Sequence, residues 1–133
     1  MEFNRIDYKD LNAKQKENYN FHKISSKLAD YGYNSIRLTD DWNGADFIAI
    51  HINGNVLKFQ QKGRLTISKN KYSGDDIWIV YIEDDLIKLY NHNKIKSILE
   101  KEIEQTGSWI KENGYYDWPN TPKAYSHLIT ELK

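Results

Sequence analysis

The sequence predicts a single α/β domain with a mixed central sheet flanked by helices. Three observations predict it. Residues 12–31 carry apolar side chains at helical spacing between a capping residue and a glycine. Residues 46–62 hold two strand-like runs about an Asn-Gly turn. The run Ile77-Trp78-Ile79-Val80-Tyr81-Ile82 is of the kind buried in a sheet centre, and helix signals follow it. No repeat, low-complexity tract or linker divides the 133 residues, so 1–133 reads as one domain, long enough to bury one core.

Each element has its own signal. Asn12 suits a helix N-cap and Gly32 a helix end, which bounds a first helix at 12–31. Phe21, Ile24, Leu28 and Tyr31 form its apolar stripe, and one more step of four back from Phe21 reaches Glu17. Ser35-Ile36-Arg37-Leu38 reads as a short strand, and Thr39 to Gly44 as a polar turn. Asp46 to Ile52 is a strand by its β-branched content, Asn53-Gly54 turns it, and Asn55 to Lys62 returns as its partner. Gly63 breaks that strand, and Arg64 to Ile67 continue in extended form. Ile77 to Glu83 and Leu86 to Tyr90 are further strands about the turn Glu83-Asp84-Asp85, followed by a helix over 93–105. Thr121 before Pro122 signals a last helix over roughly 122–132.

Composition narrows the class. Hydrophobic residues at 39% and charged residues at 29% describe a soluble globular chain, and four Trp, ten Tyr and four Phe give it large side chains to bury. The absence of cysteine excludes disulfides and thiolate metal sites and fits a reducing compartment. The longest apolar runs are too short for a bilayer, and Met1-Glu2-Phe3-Asn4-Arg5 lacks a signal-peptide pattern, so a cytoplasmic protein without a membrane partner is expected. His22, His51, His92 and His127 have no zinc-ligand spacing. There is no Walker loop, dinucleotide turn or nucleophile elbow. The aromatic segment 108–119 fits an arm packed on the core or on a second subunit better than a base-stacking surface.

Net charge is zero, which argues against a nucleic-acid coat protein, but charge is unevenly spread. From Phe47 to Gly74 there are five basic residues (Lys58, Lys62, Arg64, Lys69, Lys71) and no acid. A neutral protein can still present a local basic strip to a phosphate backbone, here Lys58, Arg64, Lys69 and Lys71. The alternative is a solvated strand and turn whose lysines blunt a sheet edge.

The hairpin 46–62 also gathers groups with chemistry. Side chains alternate along a strand, so Lys58, Gln60 and Lys62 share one face and Leu57 and Phe59 the other, against the core helix. Asp46 opens the preceding strand, and the turn returns the chain so that Gln60 and Lys62 lie beside it. An acid, a carboxamide and an amine at one end of a sheet suit metal-assisted phosphodiester hydrolysis. The oxygens hold a hard divalent cation, and the amine stands near the attacking water and the phosphate.

Asp46, thirteen residues and then Gln60-x-Lys62 resembles the motif of the PD-(D/E)XK nucleases, in the variant where glutamine replaces the second acid. The order of helix, Gly44-Ala45-Asp46, hairpin and the Asp76-Ile77-Trp78-Ile79-Val80 strand follows that restriction-endonuclease-like fold over roughly 12–105, and Leu65 to Trp78 and Leu89-Tyr90-Asn91-His92 are similar to small bacterial members of it. The resemblance implies a magnesium (or manganese) site on Asp46, Gln60 and the helical acid Glu17, with Lys62 serving the attacking water. It also implies DNA as partner. For a chain this short, a homodimer on a palindromic site is the natural route to sequence specificity. The chain departs from the pattern in having Ala45 where the motif has proline, and in the neutral Gln60, which leaves the site one negative charge fewer.

Overall fold

A computed structural model describes residues 2–42, 44–72 and 76–133. In chain order they form α1 (Ala13–Asp30), β1 (Tyr33–Trp42), β2 (Ala45–His51), β3 (Val56–Gln61), β4 (Thr66–Ser68), β5 (Ile77–Glu83), β6 (Leu86–Asn91), α2 (His92–Ile103), α3 (Gly107–Ile110), β7 (Tyr115–Asp117) and β8 (Thr130–Leu132). Single 3-10 segments occupy Tyr8–Asp10 and Lys123–Leu128. Six strands make the main sheet in the order β1-β2-β3-β5-β6-β8, and β4 with β7 makes a second, two-stranded sheet. Neighbours in the main sheet are antiparallel except β3 and β5, so the sheet is mixed, as the sequence predicts.

α1 begins and ends where its residues dictate. The Asn12 side chain accepts from the Gln15 N–H at 2.8 Å, and the Gln15 side chain accepts from the Asn12 N–H at 2.9 Å, a reciprocal capping box. Gly32 follows the last turn at φ +87°, a conformation that strains any residue with a Cβ. Phe21, Ile24 and Leu28 are buried against the sheet as expected. Tyr31 is not part of the stripe: it is 41% exposed at the C-cap, and its hydroxyl donates to the Lys133 carbonyl and accepts from the Lys133 N–H.

The sheet separates two apolar layers because side chains alternate along each strand. Phe47, Ala49, Phe59, Val80, Ile87 and Leu89 pack with α1. Phe47 links the two elements, stacking on Phe59 at 5.0 Å and meeting Phe21 edge-on at 5.2 Å. On the opposite face Ile77, Ile79, Tyr81 and Tyr90 pack with Ile95, Leu99 and Ile103 of α2. Trp109 and Trp118 join this second layer, so the aromatic segment packs on its own core. Among the described residues no helix is long and apolar enough to cross a membrane.

Two further expectations are corrected. Thr39 to Trp42 are strand and not turn: β1 runs on to pair Trp42 with Ala45 after a register shift, so sheet pairing overrides the turn preference of Asp40-Asp41. Asn43, the fifth residue of that expected turn, lies outside the described residues. The last helix is also absent. The Thr121 hydroxyl that was expected to cap it bonds Tyr81 at 2.6 Å and Glu83 at 3.2 Å. Residues 123–128 make only a 3-10 segment, and Thr130–Leu132 add a strand to the edge of β6. Glu83 anchors this region through Thr121 and through Lys88, 2.7 Å away. Burial favours the neutral carboxyl of Glu83, but hydrogen bonds from Lys88 and Thr121 outweigh it and hold the group below its ordinary range.

Candidate active site

The hairpin fixes Asp46 relative to the end of β3. β2 and β3 pair through Phe47 and Phe59, and the next step of the same register sets Asp46 across from Gln60. The Asp46 carboxylate reaches the end of β3, where its Oδ2 accepts from the Gln61 N–H at 2.9 Å. Gln60 faces the same side of the sheet as its parallel neighbour Ile79. Its Oε1 is buried and has no hydrogen-bond partner among the described residues. An amide oxygen in that position is unusual, since buried polar atoms are nearly always satisfied.

Glu17 lies on α1 close to this end of the hairpin, because the Gln61 side chain donates to its backbone carbonyl at 3.0 Å. The Glu17 carboxylate is exposed and 3.6 Å from Lys14. Glu17, Asp46 and Gln61 line one cleft of about 200 Å³ together with Arg37 and Asp40. Arg37 is held there by Asn18 at 2.8 Å and by the Phe21 ring, 4.3 Å from its guanidinium. Gln61 and Arg37 are members of this cleft that sequence reasoning missed. The strand period alone was signal enough for Gln61, since it puts Gln61 on the Phe59 side, facing α1.

Lys62 continues past β3, where its N–H donates to the Val80 carbonyl at 3.0 Å. Its ammonium lies 5.6 Å from the Tyr72 ring centre. It lines two clefts other than that of Asp46. One, of about 350 Å³, also holds Gly63, Arg64, Lys71, Tyr72 and Tyr115. The other, of about 660 Å³, is bounded by Tyr8, Tyr19, Lys23 and Gly63. The structure thus brings Asp46 and Glu17 to one cleft and Lys62 to two others that share no lining residue with it, and Gln60 lines none of the three. Among the described residues no three carboxylate or imidazole groups gather as a ready ion site.

The predicted basic strip divides. Arg64 and Lys71 join Lys62 in the smaller of its clefts, where Arg64 also pairs with Asp117 at 3.3 Å. Lys58 sits further back along β3 beside Ile77. The Lys69 ammonium lies against the Lys111 carbonyl at 3.5 Å.

This cleft exists because the segment after β3 is pinned. The Tyr90 hydroxyl accepts from the Thr66 N–H at 2.9 Å and donates to the Thr66 carbonyl, and burial pushes its phenol well above the ordinary value, so it keeps that proton. The Ser68 N–H donates to Nε2 of the fully buried His92 at 3.0 Å. Burial lowers the His92 pKa to about 4, and Lys96 and Lys62 push the same way against an opposing bond to Asn93. Below about pH 6.5 the unfolded chain takes up a proton that folded His92 refuses until about pH 4. Stability is therefore expected to fall as pH drops through that interval, by roughly 3 kcal/mol when protonation is complete. Urea denaturation at about pH 7 and about pH 4.5 measures it, and His92→Gln, which keeps an acceptor for Ser68, should remove much of the slope.

No protein-family model and no curated protein matches the sequence. Among solved structures, a bacterial homing endonuclease, I-Ssp6803I, matches at a TM-score of 0.50 over 84% of this chain and 78% of that one, with 14% identity. At that identity the likeness is one of fold: the six-stranded mixed sheet flanked by helices is similar to that of a known nuclease.

Proposed function

We propose that this chain is a metal-dependent DNA endonuclease of the PD-(D/E)XK type. What supports the reading is the hairpin, whose register from Phe47 and Phe59 leads toward Asp46 and Gln60, in a fold similar to that of a homing endonuclease. Asp46 would supply a carboxylate to magnesium or manganese; the unsatisfied Gln60 oxygen is the kind of acceptor a hard cation completes, but it lies on the Ile79 side of the sheet and would have to turn toward the Asp46 cleft to share the ion. Glu17 is the second carboxylate of the Asp46 cleft and would have to turn away from Lys14 to contribute. With a single acid close at hand, the ion is held more weakly than by two.

A bound divalent ion supplies charge neutralisation on the phosphate and a more acidic water. Lys62 would hold the attacking water or a phosphate oxygen at the junction of its two clefts. Arg64 and Lys71 would carry the neighbouring phosphates. A non-catalytic nucleic-acid-binding or partner-binding module of the same fold is the second reading, favoured by the neutral Gln60.

Cleavage of plasmid and single-stranded DNA with magnesium or manganese, beside calorimetric titration of the ion, decides between them. A chain that cuts nothing and binds no divalent ion is the module. For the cations, Arg64→Ala with Lys71→Ala should flatten the salt dependence of DNA binding by roughly one log-log unit per lost phosphate contact. Lys58→Ala with Lys69→Ala, outside that cleft, should change it less. Equal slopes in the two double variants would place the DNA elsewhere.

A further inference from the structure

The two clefts that flank Lys62 share Lys62 and Gly63, so they meet at that point. We propose that together they form one groove for a single DNA strand, with an unstacked base in the Tyr8–Tyr19 cavity and the backbone crossing at Lys62–Gly63. The inference deepens the nuclease reading, on which it rests for the identity of the ligand.

Gly63 is the first reason. Its backbone is not left-handed, and a Cβ built on it meets nothing within 4 Å, so folding does not require glycine there. Gly114 is the contrast: a Cβ on it would stand 2.2 Å from the Trp109 carbonyl oxygen. What a side chain at 63 would enter is the groove itself. A glycine that the fold does not need, at the point two clefts share, lets a backbone come close.

The cavity is the second reason. It holds about 660 Å³ between α1, the Lys62–Gly63 corner and the β5–β6 turn. Tyr8 and Tyr19 meet edge-on at 5.4 Å and remain partly exposed at 42% and 39%. Asn20 fixes the Tyr8 hydroxyl at 2.9 Å. Lys16 and Lys23 lie 5.4 and 5.3 Å from the centres of the Tyr8 and Tyr19 rings, and Lys23 lines the cavity itself. Aromatic rings beside cations form the usual platform for single strands, because every base offers a π-face and every linkage a phosphate. Asp85, the acid of the lining, suits a base with an exocyclic amine and repels phosphate, which puts the backbone on the Lys23 and Lys62 side.

The probe is a fluorescent oligodeoxycytidylate of about twelve nucleotides, titrated by anisotropy without divalent ions, with a duplex of equal length beside it. Gly63→Trp should weaken single-strand binding about tenfold or more while leaving the thermal unfolding transition in place. Tyr19→Ala should weaken it by at least about fivefold, the loss expected for one stacked base. If Gly63→Trp does not fold, Gly63→Leu carries the same test. Unchanged single-strand affinity in these variants, or a wild type that binds no single strand, overturns the groove. Cleavage is scored separately with magnesium. Binding lost in Gly63→Trp without any Asp46-dependent cleavage leaves the groove and removes the nuclease, and Asp46-dependent cleavage with Gly63→Trp binding like wild type does the reverse.

Discussion

Asp46→Asn is expected to lower DNA cleavage by about two to three orders of magnitude, the loss typical of removing one electrostatic group from an active site. Ion binding should weaken with it, because Asp46 is the carboxylate the proposed ion would rest on. The fold should hardly respond. Asparagine has the same shape, and its carbonyl oxygen can still accept from the Gln61 N–H that Asp46 binds at 2.9 Å. A stability change of about 1 kcal/mol or less is the expectation for trading a charged acceptor for a neutral one. Lys62→Ala should also abolish cleavage but spare ion binding, since Lys62 lines clefts other than that of Asp46. Gln60→Glu should tighten magnesium by restoring the missing charge. Plasmid cleavage, calorimetry and denaturation together read all three variants. An Asp46→Asn protein that cuts and binds magnesium like wild type would sink the mechanism.

Phe59→Ala is expected to cost about 3–5 kcal/mol of stability, a large part of what a domain this size has. Phe59 has no exposed surface, stacks on Phe47 and belongs to the cluster that joins α1 to the sheet. Its strand is held on both sides, by β2 and β5, so the backbone cannot close on the cavity. Val56→Ala, on the same strand but 51% exposed, is the control and should cost less than about 1 kcal/mol. Urea denaturation compares them. A small loss at Phe59 would mean that the α1 layer is not packed as described.

The parts of this fold legible in the sequence are those whose signals are local. Asn12 and Gly32 sit at the helix ends they define, and Asn53-Gly54 needs only its own hairpin to act. The same hairpin made Asp46, Gln60 and Lys62 readable as neighbours in the chain path. What was hidden depends on distant partners. Thr121 looks like a cap until Tyr81 and Glu83, some forty residues earlier, take its hydroxyl. Thr39–Trp42 look like a turn until β2 lies beside them. The clefts around Lys62 were likewise unreadable. They are shaped by His92 and Tyr90 holding the segment after β3, and by Tyr8, which no strand or helix period reaches.

The junction of β3 and β5 has a kinetic meaning. The strands of β1-β2-β3 follow one another through short connections, and so do β5 and β6, so each group can form with little loop closure. The parallel pair that unites them needs the intervening segment 62–76 to cross over first, and such non-local pairing is what slows folding. Substitutions at the junction, such as Val80→Ala, are expected to slow folding, while those near the hairpin tip should mainly speed unfolding. Gln60 lies on β3 and Lys62 just past its end, where its N–H still bonds β5. Their arrangement is therefore expected to arise with the crossover pairing and not with either hairpin.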